Sequence, residues 1–124
     1  MGSENENIFR HILNAVIYTS AGFKAAWHNE MSFRTEVVVI AVMLPVGIWI
    51  GETAVQRAVL IGSSLLVLIT ELLNSAVEKA VDRIGTEHHF LSEQAKDLGS
   101  AAAAVSMLTA LVVWCLIAYE RFFG

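Results

Sequence analysis

Long stretches without charge dominate the hydrophobic pattern of this chain. Residues 37–51 and 98–119 contain no Asp, Glu, Lys or Arg, and residues 58–77 contain only Glu71. A helix needs roughly 20 mainly apolar residues to cross a bilayer, and these stretches lack the polar face of a soluble helix. The pattern therefore favours membrane spans over the alternative, three buried helices of a soluble bundle. The predicted spans cover about 33–51, 56–78 and 98–119.

The start of the chain has a different pattern, with one apolar and one polar face. Helical spacing places these residues on the apolar face: Ile8, Ile12, Ala15, Thr19 and Phe23. Arg10, Asn14 and Lys24 lie elsewhere on the same helix. This arrangement predicts an amphipathic helix over about residues 5–28 that lies on the membrane surface.

Turn and cap residues separate the predicted helices. Residues 51–53, Gly-Glu-Thr, predict a short turn after the first span, and Gly85 with Thr86 predicts the end of the second helix. Ser92 is predicted to cap the start of the third spanning helix. The chain is therefore predicted to be one all-α membrane domain over residues 1–124, with no visible internal repeat.

The distribution of basic residues predicts the orientation in the membrane. Six basic residues lie before the first span or between the second and third spans, and so share one side of the bilayer: Arg10, Lys24, Arg34, Lys79, Arg83 and Lys96. The opposite side has only Arg57 and Arg121. The positive-inside rule therefore predicts a cytoplasmic N-terminus and a C-terminus on the opposite, outer side of the membrane.

Composition narrows the class of protein further. Hydrophobic residues make up 56% of the 124 residues and charged residues 16%, against about 25% charged residues in soluble domains. The net charge of −4 argues against nucleic-acid binding. The single cysteine excludes an internal disulfide and a Cys-rich zinc site. The sequence contains neither G-x-x-x-x-G-K-S/T nor G-x-G-x-x-G, the two glycine-rich motifs that bind nucleotide phosphates. Nucleotide chemistry would therefore need isolated side chains.

Polar residues form one stripe along the second predicted span. At helical spacing these residues share a face: Glu71, Asn74, Ser75, Glu78 and Asp82. A carboxylate inside a span costs a few kcal/mol, so Glu71 is predicted to face protein or water. We interpret Glu71 as a general base or a proton carrier. The structural alternative is a hydrogen-bonded glutamate that holds helices together.

Two further acids could bind a metal ion. Mg²⁺ is often held by one or two carboxylates together with substrate phosphates. Glu30 and Glu78, on separate helices, could present such an ion, and Lys96 could contact phosphates. The alternative is a pair of solvated acids near lipid headgroups. Three spans bury little surface, so we expect a symmetric oligomer with sites between subunits.

Five segments of the chain resemble one family closely. They are Ala-Ala-Trp-His-Asn-Glu at 25–30, Phe-Arg-Thr-Glu at 33–36, Glu-Leu-Leu-Asn-Ser-Ala-Val-Glu at 71–78, Val-Asp-Arg-Ile-Gly at 81–85 and Ala-Lys-Asp-Leu-Gly-Ser-Ala-Ala at 95–102. The family is the small integral-membrane diacylglycerol kinases of bacteria. The resemblance extends from about residue 18 to the C-terminus.

The resemblance implies a function and a set of site residues. It implies a homotrimer of the inner membrane that uses Mg²⁺ and ATP to phosphorylate diacylglycerol to phosphatidic acid. Glu71 would be the general base, Asn74 would support it, and Glu30 and Glu78 would hold the metal. Nucleotide contacts are implied for Tyr18, Glu30, Glu78, Glu87, His89, Lys96 and Asp97. Lipid contacts are implied for Ala25, Ala26, Trp27, Ser32, Phe33, Arg34, Thr35, Glu36, Trp49, Arg57, Glu71, Ser100 and Trp114.

Three other functions compete with this interpretation. Related kinases phosphorylate undecaprenol, another lipid alcohol, and would use the same base and metal. A small proton-coupled exporter would explain Glu71, but it leaves Glu30, Glu78, Lys96 and Asp97 without a role. A non-catalytic assembly subunit would need no acid cluster.

Overall fold

The structure is a computed structural model that describes residues 2–85 and 87–124. Over these ranges it consists of four α-helices joined by short connections. They are α1 (Gly2–Asn29), α2 (Met31–Ile50), α3 (Ala54–Ile84) and α4 (Phe90–Phe123). The last three are long and apolar enough to cross a membrane. The predicted all-α fold with three candidate membrane spans is therefore confirmed.

The helices α3 and α4 are longer than the predicted spans that they contain. With 31 and 34 residues, they measure about 46 and 51 Å at 1.5 Å per residue. The hydrocarbon core of a bilayer is only about 30 Å thick. The ends of both helices therefore extend beyond the hydrocarbon, and the extensions carry Asp82 on α3 and Lys96 on α4.

The helix ends follow local chemistry, with one departure from the sequence prediction. Thr53 caps α3 by accepting a hydrogen bond from Gln56 N at 3.1 Å, and Gly85 ends this helix as predicted. Thr86, the other half of the predicted break, lies outside the described residues. The prediction for Ser92 is wrong, because α4 begins at Phe90 and the cap is His89, whose Nδ1 accepts from Leu91 N at 3.1 Å.

The most extensive helix pairing joins α3 to α4 in antiparallel orientation. Side-chain hydrogen bonds follow this α3–α4 seam along its length. They join Ser64 to Trp114 at 3.1 Å, Thr70 to Ser106 at 2.7 Å and Asp82 to Lys96 at 2.7 Å. Polar contacts of this kind hold helices together in lipid, where burial of apolar surface gives no driving force between helices.

Helix α2 packs on α3, and α1 contacts α2 near their junction. Gly47 of α2 allows close approach, because a Cβ there would lie 3.0 Å from the Trp114 ring and 3.7 Å from Leu60. At the α1–α2 junction the rings of Phe23 and Phe33 lie 6.3 Å apart. Ala26 is the buried residue of α1. The location of α1 on the membrane surface stays a prediction.

Candidate active site

Glu71 lies buried in the middle of the helix assembly. Its exposed fraction is 8%. It belongs to the part of α3 that forms the second predicted span. Glu36 of α2 is half-buried and lies close enough for the charge of Glu71 to act on it. Glu71 therefore faces protein, one of the two environments predicted for it, and its charge acts on an acid of the neighbouring helix.

Asn74 follows Glu71 by about one helical turn. Its Oδ1 atom is buried and has no hydrogen-bond partner among the residues that the structure describes. The side chain lies against α4, where a Cβ on Gly99 would come 3.3 Å from Asn74 Cγ and nearer still to Oδ1. An unpaired buried acceptor costs about 1–3 kcal/mol, so the packing of Asn74 against α4 is maintained at an energetic cost.

Glu30 is the single residue between α1 and α2, with an extended backbone (φ −116°, ψ 106°). Its carboxylate makes no capping hydrogen bond to the described start of α2. Instead it accepts a hydrogen bond from Lys79 Nζ of α3 at 3.0 Å. The Glu30 side chain is 20% exposed and that of Lys79 is 55% exposed. A cation therefore already contacts this carboxylate.

The donor chemistry of Glu30 and Glu78 suits a hard cation such as Mg²⁺. Glu78 is half-buried and lies close enough to Lys96 to act on its charge. Within residues 2–85 and 87–124, no group of three His, Cys, Asp or Glu side chains is arranged to hold a metal ion. The two acids therefore fit a metal site only as part of a ligand set that phosphate oxygens and water complete.

A polar cleft of about 370 Å³ lies where α3 ends and α4 begins, and we call it the loop cleft. Its polar lining consists of Asp82, Glu87, His88, His89, Ser92, Glu93 and Lys96. Lys96 precedes the uncharged stretch of α4, and its hydrogen bond to Asp82 raises the pKa of the Lys96 ammonium above its usual range. His88 Nε2 lies 2.9 Å from Glu93 Oε2. A cleft of this size is within the range of small-molecule sites.

The structure brings together only some of the predicted nucleotide residues. Glu87, His89 and Lys96 line the loop cleft. Glu30 instead lines an apolar cleft of about 380 Å³ between α1 and α3, together with Lys79. Tyr18 of α1 is 72% exposed and lines neither cleft. Asp97 is exposed on α4 and also lines neither.

The predicted lipid contacts fall into separate groups. Ala25 and Ala26 line the α1–α3 cleft, and Trp27 and Phe33 line another cavity at the α1–α2 junction. Ser32, Arg34, Thr35 and Ser100 are exposed on α2 and α4. None of these groups alone encloses a lipid within the described residues.

A second apolar groove extends along α2, α3 and α4. It measures about 260 Å³ and is lined by both Glu36 and Trp114. Trp49 and Arg57 lie elsewhere. Trp49 packs against Phe122 in a tilted arrangement, with the two ring centroids 5.7 Å apart, and Arg57 donates to Ile48 O at 3.0 Å. At 1.5 Å per residue, both are about 20 Å along their helices from the level of Glu36 and Glu71.

Three residues gain a role that sequence reasoning did not give them. The sequence indicates for Lys79 only a position among the basic residues of the predicted cytoplasmic side, yet it pairs with Glu30. Asp82 was placed on the polar stripe without a partner, and it pairs with Lys96. Ser64 was not singled out, and it accepts the indole N–H of Trp114. Only Asp82 had a sequence signal, its position on the stripe.

Comparison with known proteins decides the family. Residues 17–118 match the sequence profile of the prokaryotic diacylglycerol kinases. The chain belongs to this family. The resemblance inferred from the motifs is thereby confirmed, and the match includes every predicted site residue.

Curated relatives agree over most of their length. The chain is 42% identical to a diacylglycerol kinase of Escherichia coli (strain K12) over 120 residues, which cover 97% of this chain and 98% of the relative. It is 45% identical to one of Pseudomonas aeruginosa over 108 residues, 87% and 88% of the two chains. A Haemophilus influenzae diacylglycerol kinase is 44% identical over 104 residues, 84% of this chain and 88% of the relative.

Proposed function

We propose that this protein transfers the γ-phosphoryl group of ATP to the hydroxyl of diacylglycerol and so produces phosphatidic acid. The observation that carries the proposal is the buried Glu71 carboxylate, one turn from the unpaired amide oxygen of Asn74. Membership of a family of diacylglycerol kinases supports the choice of lipid. The reaction takes place at the cytoplasmic face of the bacterial inner membrane, with the N-terminus inside and the C-terminus in the periplasm.

Glu71 acts as the general base. A carboxylate within hydrogen-bond reach of the lipid hydroxyl accepts its proton as the oxygen attacks the γ-phosphorus. A bond forms between that oxygen and the γ-phosphorus, and the bond from the γ-phosphorus to the bridging oxygen breaks, so ADP leaves. Asn74 supports the base from one helical turn away on the same face of α3.

Charge neutralisation and positioning supply most of the catalysis in phosphoryl transfer. Glu30 and Glu78 would hold Mg²⁺, which neutralises charge on the ATP phosphates. Lys96, with Glu87 and His89 in the loop cleft, contacts the nucleotide. Tyr18 and Asp97 complete the nucleotide site from outside this cleft.

The scattered lipid and nucleotide residues support an assembly in which subunits share their sites. One chain presents Glu30 and Lys96 in different clefts, and neither cleft includes Tyr18 or Asp97. A homotrimer would bring these groups together across subunit contacts. It would also cover part of the apolar surface that the single chain exposes.

Phosphate transfer in lipid micelles tests the proposal directly. The purified protein is incubated with Mg²⁺ and labelled ATP in micelles that contain diacylglycerol or undecaprenol. We expect label in phosphatidic acid. The Glu71→Gln variant should abolish transfer but keep the oligomer and ATP binding, because it removes the base and preserves shape.

The other outcomes would each contradict one part of the proposal. Transfer mainly to undecaprenol would keep the mechanism and change the lipid alcohol. No transfer to either lipid from a folded oligomer would exclude a kinase for these lipids and favour the proton-coupled exporter. An active Glu71→Gln variant would exclude Glu71 as the base.

A further inference from the structure

The ion pair between Lys79 and Glu30 occupies a carboxylate that the proposed function assigns to the metal. Lys79 Nζ lies 3.0 Å from Glu30 Oε1, across 49 residues of sequence. The pair ties α3 to the junction of α1 and α2, and both side chains line the α1–α3 cleft. A metal ion that binds this carboxylate competes with the ammonium, because the two cations share one negative charge and repel each other at such short range.

The two partners of this pair differ in exposure. The Lys79 side chain is 55% exposed, whereas that of Glu30 is 20% exposed. Lys79 therefore has room to swing into solvent on its flexible stem. Glu30 is held more tightly at the single connecting residue between two helices. The lysine is the partner that can leave.

The neighbouring lysine of the site has a different partner. Lys96 donates to Asp82 at 2.7 Å and lines the loop cleft. Lys79 lines the α1–α3 cleft instead. In the proposed function, Lys96 contacts the phosphates of the nucleotide. The geometry leaves Lys79 beside a metal ligand, with no contact to the loop cleft.

We propose that Lys79 is an internal competitor for the metal site, which holds Glu30 until a divalent cation replaces it. This inference rests on the proposed function, because it takes Glu30 as a metal ligand. Lys79 thereby sets the concentration of divalent cation at which the site fills. An exposed ion pair contributes little free energy, so the effect on affinity is modest and the exchange is readily reversible.

Manganese binding tests the proposal without the reaction. Mn²⁺ is titrated by electron paramagnetic resonance into the assembled protein, saturated with a non-hydrolysable ATP analogue. We expect Lys79→Met to lower the Kd for Mn²⁺ by about two- to fivefold, the factor that matches an exposed ion pair. Lys79→Arg should keep the unmodified Kd, since it keeps the charge. Lys24→Met removes an equivalent charge from α1 and should also leave the Kd unchanged.

A Glu30→Gln background separates competition from a general change of charge. In that background Lys79→Met should no longer alter the Kd, because the contested carboxylate is gone. An unchanged Kd for Lys79→Met in the natural background would overturn the inference alone. Weaker Mn²⁺ binding would also overturn it and assign Lys79 to the phosphates. If the unmodified protein binds no Mn²⁺ with the analogue, the proposed metal site itself fails.

Discussion

The side-chain amide of Asn74 lies directly against the backbone of Gly99, at the point where α3 meets the start of the α4 span. A Cβ at residue 99 would overlap Asn74 Oδ1 and lie 3.3 Å from Asn74 Cγ. Asn74 belongs to the same stripe as Glu71, so the contact fixes the position of α4 relative to the proposed base.

We predict that Gly99→Ala destabilises the protein and slows phosphoryl transfer. The added methyl group must push α4 away or displace Asn74, and overpacking of this kind costs about 1–3 kcal/mol. Unfolding by SDS in mixed micelles measures the free energy of unfolding, and the transfer assay measures kcat.

Gly62→Ala is the matched control for this variant. Gly62 lies inside α3, and apart from the adjoining residues and backbone of its own helix no described atom lies within 4 Å of the position of its added Cβ. Alanine favours a helix over glycine by about 0.5–1 kcal/mol. The control should be at least as stable as the natural protein and equally active. Equal losses in both variants would contradict the role of the Asn74 contact.

We predict that Ser64→Ala destabilises the protein more than Ser63→Ala. Both hydroxyls donate to Leu60 O, at 2.9 and 3.1 Å. Only Ser64 also accepts the Trp114 indole N–H. The difference between the variants therefore isolates the bond between α3 and α4, which we expect to contribute about 0.6–1 kcal/mol. Equal free energies of unfolding would show that the bond contributes nothing.

We predict that Lys96→Met raises the KM for ATP by about tenfold or more. A hydrogen bond to a charged group contributes about 1.5–3 kcal/mol, and 1.4 kcal/mol corresponds to a factor of ten. Initial rates at varied ATP and saturating diacylglycerol give KM and kcat separately. Lys24→Met on α1 is the control for charge. A lower kcat with unchanged KM would place Lys96 at the reacting group instead of the bound nucleotide.

We predict that Arg121→Met leaves catalysis unchanged. Arg121 pairs with Glu52 at 3.2 Å, with side chains 38% and 58% exposed. Exposed pairs contribute about 0–1 kcal/mol. Glu52 lies just before the start of α3, more than about 20 Å along the helix axis from Glu71. The kcat/KM for diacylglycerol should equal that of the natural protein. A large loss would show that the far end of the helices controls the site.

The fold was predictable because membrane-spanning helices require long uncharged stretches, which are visible in the sequence. The stretch over 98–119 and the glycine at residue 85 led to the correct helices. The cap of α4 was missed for a local reason. A hydroxyl side chain is a preferred helix cap, which pointed to Ser92, whereas here an imidazole nitrogen of His89 accepts the same kind of hydrogen bond.

Helical spacing predicted which site residues share one face of a helix, but it did not predict contacts between helices. The spacing on α3 places Glu71 and Asn74 on one face, and the structure buries Glu71 and the amide oxygen of Asn74. The pair of Lys79 with Glu30 could not be read from spacing. It joins residues 49 positions apart, and such contacts depend on how α1 and α2 pack on α3.

Glu30 also has a mechanical consequence. It is the only non-helical residue between two long helices, so its two backbone dihedral angles set the direction of α1. The helix has 28 residues, which makes a lever about 42 Å long. A rotation of 10° at this hinge would move the far end of α1 by about 7 Å over that length. Any ligand that fixes the Glu30 backbone would therefore also fix where the N-terminal helix points.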